Sequence, residues 1–142
     1  MPATAFLNKT YDEALGLTHE ARSFIASVDE ARLADVPFAT RLIYARESLR
    51  LTVRLTQVMA WLLYQKAVHA GEMERAEAAA PDKRLGGRAV CSEHDEAAMT
   101  MLPPPLRSLM ERSHRLYVRV ARLDEMVGRD PTARRGPPPI RF

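Results

Sequence analysis

The chain has 142 residues, with 21 basic and 18 acidic side chains for a net charge of +3, and this length predicts one domain. Its longest apolar run, Val58 to Tyr64, falls far short of the roughly 20 residues that cross a bilayer. The single cysteine, Cys91, excludes an intramolecular disulfide framework and fits a reducing cytoplasm. Met1-Pro2-Ala3-Thr4 begins no charged and then apolar leader. Ala, Leu, Arg and Glu abound while aromatics are only 6%, a mixture that favours helices over strands.

In chain order, Leu7, Tyr11, Ala14, Thr18, Ala21, Ile25 and Val28 step by four and three and predict an amphipathic helix over about residues 3–28. Residues 29–37 read as a connection, and Pro37 suits the start of a new helix. A helical pattern then runs over about 38–80. Leu42, Ala45, Leu49, Thr52, Thr56, Met59 and Leu63 form one stripe. Val53, Leu55, Val58, Trp61 and Leu62 form a second arc. A helix apolar around so much of its circumference is central, with partners on more than one side, and Thr52 and Thr56 are read as core residues. Gly71 is its weak point.

Residues 81–103 read as an irregular loop in which Ser92 and Asp95 resemble a capping signal. After Pro103-Pro104-Pro105, a third helix is predicted over about 104–128 with the stripe Leu106, Leu109, Ser113, Leu116, Val120, Leu123 and Val127. Residues 129–142 hold four Pro and four Arg and read as a disordered basic tail. The predicted fold is all-α: a three-helix bundle over 1–128 with a long central member. A helical hairpin completed by a second copy would use the same seams.

Charge is regional. Residues 1–30 carry Lys9 and Arg22 against Asp12, Glu13, Glu20, Asp29 and Glu30. Residues 38–66 carry Arg41, Arg46, Arg50, Arg54 and Lys66 against Glu47. An acidic first helix beside a basic second one is a reasonable antiparallel pairing rule. Arg46, Arg50 and Arg54 form an i, i+4, i+8 ladder, and Arg112, Arg115, Arg119 and Arg122 form another. Such rows flank a core and pair with neighbouring helices, or else they meet an acidic partner or a phosphate backbone. A small basic nucleic-acid-associated protein is therefore the alternative reading, although no recognition motif accompanies the charge.

No catalytic, metal or cofactor site emerges. Cys91-Ser92-Glu93-His94-Asp95 lacks a second cysteine for zinc and an oriented base for nucleophilic work. Glu111-x-x-His114 is half of a di-iron signature whose other half is missing. Trp61 belongs to a core or to an interface centre. The Pro137-Pro138-Pro139-Ile140-Arg141-Phe142 end has the composition of a polyproline peptide ligand.

In the central helix, Glu47-Ser48-Leu49-Arg50-Leu51-Thr52-Val53-Arg54-Leu55-Thr56-Gln57-Val58, Trp61-Leu62-Leu63, Gln65-Lys66-Ala67-Val68 and Gly71-Glu72 resemble the RcdA-like family, as do Leu102-Pro103, Leu116-Tyr117, Arg119-Val120 and Arg122-Leu123-Asp124. The family is named for a regulator of CtrA degradation in alphaproteobacteria. The resemblance covers about two thirds of the chain. It implies a dimeric, non-catalytic, cytoplasmic adaptor that helps deliver cell-cycle regulators such as CtrA to the ClpXP protease with accessory factors. The candidate protein-binding residues are Arg46, Arg50, Arg54 and Trp61, with Arg135 and Phe142 in the tail.

Overall fold

A computed structural model of the chain describes residues 2–131. Three long helices form the bundle: α1 (Pro2–Ser27), α3 (Phe38–His69) and α7 (Pro104–Arg129). Shorter helical turns join them: α2 (Glu30–Leu33), α4 (Arg75–Ala78), a 3₁₀ turn at Pro81–Lys83, α5 (Arg88–Cys91) and α6 (Glu96–Met99). No strand occurs among the described residues.

The cross-helix pairs fix the directions. Lys66 lies over the Tyr11 ring, so α1 and α3 are antiparallel. Arg119 meets Glu13 and Arg112 meets Glu20, so α1 and α7 are antiparallel too. Hence α3 and α7 run parallel, with Arg54 beside Ser113 and Trp61 beside Asp124. Two adjacent parallel helices need a connection that travels back along their length. That is why residues 70–103 form a long strap.

The central helix ends at His69, not near residue 80. Gly71 takes φ +75°, the left-handed conformation that closes a helix, and its N–H bonds to the Val68 carbonyl. At the other boundary of the strap, Asp95 rather than Ser92 caps α6, accepting from the N–H groups of Ala97 and Ala98.

The α7 stripe faces the core where the spacing put it, and so does the α1 stripe as far as Ala21; Ile25 and Val28, at its end, are exposed. Leu7, Ala14 and Ala21 are buried, as are Leu106, Leu109, Ser113, Leu116 and Val120. The acidic residues of α1 pair with the arginines of α7, not with those of α3, which corrects the expected pairing rule. The central helix also differs. Its buried face is Leu51, Leu55, Val58, Trp61 and Leu62. The stripe Leu42, Ala45, Leu49, Thr52, Thr56 and Leu63 is exposed, and Thr52 and Thr56 are not core residues. Two apolar arcs lay on one helix, and spacing does not say which one meets the other helices. The buried arc is the bulkier, so covering it removes more apolar area from water.

Candidate interaction surface

The arginine ladder of α3 is mostly inside the molecule. Arg54 is fully buried, and its guanidinium is spread over four acceptors. Nε donates to the Cys91 carbonyl at 2.9 Å. Nη1 donates to the Met110 carbonyl at 3.1 Å and to Ser113 Oγ at 3.3 Å, and Nη2 donates to the Glu93 carbonyl. Burial, with the adjacent Arg50 charge, pulls its pKa down to about 10, so it stays charged at neutral pH. A buried charge must be met by fixed dipoles, and the backbone of the strap and α7 supplies them.

Arg50, also buried, forks onto both oxygens of the buried Glu47 carboxylate at 2.6 and 2.7 Å. It further donates to the Val90 carbonyl at 3.0 Å and to Glu93 Oε2 at 3.0 Å. Arg46 is half exposed and donates to Glu47 Oε1 at 3.1 Å, with Asp95 at 3.8 Å. The ladder therefore holds the strap against α3. Arg50 and Arg54 present no cation to a partner in this conformation, which corrects their expected place on a contact surface.

Trp61 is likewise buried rather than at an interface. Its Nε1–H donates to Asp124 Oδ1 at 2.9 Å. The same oxygen accepts from Arg84 Nε at 2.8 Å and the Leu85 N–H at 3.2 Å, while Oδ2 accepts from Arg88 Nη2 at 2.7 Å. Burial alone would raise the Asp124 carboxyl; these donors outweigh it and hold it below the usual carboxylate range. Around this hub, Tyr117 Oη donates to the Gly86 carbonyl at 2.7 Å, and the Gly86 N–H donates to Gln57 Oε1 at 3.1 Å. Burial and the Cys91 charge push the Tyr117 hydroxyl up to about 12. Arg135 and Phe142 lie outside the described residues.

Asp124 and Glu47 carry this architecture, and spacing alone did not single them out. A signal existed: each carboxylate sits on the core-facing side of an amphipathic helix, where a charge persists only when it has partners.

What remains open to solvent is the outer face of α3. Leu42, Leu49 and Leu63 share one heptad position, seven and fourteen residues apart with Thr56 between the last two, and are 54%, 67% and 51% exposed. The Thr52 and Thr56 hydroxyls bond back to the carbonyls of Ser48 and Thr52, so they place no unmet donor on this face. Beside it, α1 and α3 enclose an open apolar groove of about 620 Å³, lined by Thr18, Ile25, Thr56 and Met59 among others. Leucines at one heptad position of an exposed helix, interrupted once by a threonine, follow the spacing of an interhelical seam. Among the described residues, no group of three metal-ligating side chains occurs, and no helix is long and apolar enough to cross a membrane.

No curated protein matches the chain. A solved structure does: RcdA from Caulobacter crescentus CB15, 34% identical, covering 85% of this chain and 89% of that one, with a TM-score of 0.64. A family model described as a protein of unknown function, DUF1465, matches residues 2–141. The seam, the strap and the parallel pair of helices therefore belong to a member of the DUF1465 family, the RcdA-like family that the helix motifs resemble.

Proposed function

We propose that this chain is a non-catalytic, cytoplasmic adaptor that brings cell-cycle regulators of the CtrA kind to the ClpXP protease, and that it works as a homodimer. The carrying observation is the similarity to RcdA over most of both chains. The surface agrees with the role, since tethering needs faces and reach rather than a reaction pocket. Four of the arginines that motivated a nucleic-acid reading are occupied, while Arg115 and Arg122 stay exposed. Arg50 and Arg54 hold the strap, and Arg112 and Arg119 pair with α1.

The exposed stripe of α3 is the surface best suited to a second copy. Two such stripes crossed antiparallel about Thr52 would set Leu42 of one protomer against Leu63 of the other, and Leu49 against Thr56. A parallel pairing would instead stack Arg41 and Arg46 on their own copies, which like-charge repulsion disfavours.

The test is reconstituted degradation of a CtrA-type response regulator by ClpXP and its accessory factors, with and without this protein. Turnover that accelerates only in its presence supports the adaptor reading. Unchanged turnover with a correctly folded helical chain overturns it.

A further inference from the structure

The strap is held by one contact that the adaptor reading does not use. His94 of the strap and His114 of α7 stack face to face, with ring centroids 4.7 Å apart and planes 19° from parallel. His114 Nε2 lies 3.1 Å from the Ser92 carbonyl, where an N–H donates. His94 Nε2 lies 3.2 Å from a Glu96 carboxylate oxygen, and its Nδ1 is buried with no hydrogen-bond partner. We propose that this stacked pair is an acid-sensitive latch, which releases residues 84–96 from the α3–α7 face when His114 takes up a proton.

The geometry carries the sign. A neutral imidazole bonds through one nitrogen and leaves the other bare, which is what His94 Nδ1 tolerates. An imidazolium has two N–H groups, so protonation would bury an unmet donor there. A second proton would put like charges face to face.

The surroundings are cationic on the α3 and α7 sides. Arg54 and Arg50 approach from α3, and Arg115 follows His114 on its own helix. Glu47 on α3 is already committed to Arg50 and Arg46. On the strap, Glu96 faces His94, Glu93 is held by Arg50, and Asp95 lies beside Arg46. Glu111 stands one turn before His114 on α7. Burial depresses the His114 pKa, and the charges of Arg54, His94 and Arg115 add to this. With the strap released, His114 takes up a proton at the ordinary histidine value near 6.5, whereas under the closed strap it does so only at lower pH. The latch is therefore fully closed above that ordinary value and weakens as pH falls through it. Opening strips Arg50 and Arg54 of the Val90, Cys91 and Glu93 carbonyls, and exposes the Arg46–Arg50–Arg54 row to an acidic partner.

Cys91 reports the event. It is fully buried on the inner side of the strap and is the sole thiol. Its reaction rate with 4,4′-dithiodipyridine, divided at each pH by that of the urea-unfolded chain, measures the open fraction. The latch predicts a normalised rate several-fold higher at pH 5.5 than at pH 7.5, with about ten-fold the ceiling for one histidine of ordinary value near 6.5. Helical circular dichroism should stay unchanged, and the slope should vanish in the His94→Gln, His114→Gln double variant.

A flat profile in the unsubstituted protein overturns the proposal. So does the same slope in the double variant, or labelling that rises only as the helices melt. Should the double variant not fold, amide exchange in the unsubstituted protein decides. Acid must raise exchange, beyond its intrinsic pH dependence, in residues 84–96 and not in the interior of α1 or α7.

Discussion

Replacing Asp124 by Asn isolates the charge of the strap's main anchor while keeping its shape. The three bonds to Oδ1, from Trp61, Arg84 and Leu85, keep an acceptor. The bond from Arg88 Nη2 to Oδ2 becomes an amide facing a guanidinium. Hydrogen bonds to a buried charge are worth about 1.5–3 kcal/mol each. The Arg84 and Arg88 side chains are 30% and 40% exposed, so solvent screening reduces each of their bonds to about 1 kcal/mol. Adding the new donor–donor contact gives a loss of about 2–3 kcal/mol. That is a large share of the roughly 5–15 kcal/mol that stabilises a domain. It corresponds to a melting point lower by about 8–12 °C. Urea titration followed by the fluorescence of Trp61, the sole tryptophan, measures it, because the indole is bonded to the altered residue. Glu20→Gln is the control. Its bidentate pair with Arg112 lies on the surface, so its loss should stay below about 1 kcal/mol. If Asp124→Asn costs no more than Glu20→Gln, the claim that Asp124 anchors the strap is refuted.

Other outcomes follow from the same contacts. Asp124 has a depressed pKa, so its contribution is present above the ordinary carboxylate value and is lost as pH falls through the lower, folded one. Acid titration of the protein should therefore lose more stability below about pH 4 than titration of Asp124→Asn. Arg54→Ala leaves the Cys91 and Glu93 carbonyls unmet and a void beside them, and should cost about 3–5 kcal/mol in a denaturant melt. Gly87→Ala should destabilise more than Gly71→Ala. Both have a positive φ, but only at Gly87 does the added Cβ meet another atom, Cys91 Sγ at 2.9 Å. Leu49→Glu should convert a dimer to a monomer by light scattering with little change in melting point, because Leu49 touches no core.

The three long helices were legible because their apolar stripes repeat at helical spacing and their ends carry proline or glycine. Gly71 could be named as the break, since glycine alone reaches a left-handed closing turn without strain. The outer face of α3 was misjudged for a physical reason. Periodicity reports that residues share a side, and not what that side touches; Leu49 and Leu51 are equally apolar and end on opposite sides of the helix. The arginine ladder shows the same limit. Its spacing was readable, but its burial depends on carbonyls some 40 residues away, such as Val90 and Cys91. Asp124 lay in plain view next to Leu123, and its role emerges only once residues 84–88 fold over it.

The parallel course of α3 and α7 sets a polarity. The start of α1, the end of α3 and the end of α7 gather at one pole, while α2 and Pro103 cap the other, about 39 Å away along the 26 residues of α7. Residue 131 thus lies at the same pole as the start of α1. In the antiparallel pair proposed above, the two copies of residue 131 would lie at opposite poles. One two-headed partner would have to span tens of ångströms to hold both, whereas two separate partners would be served without crowding.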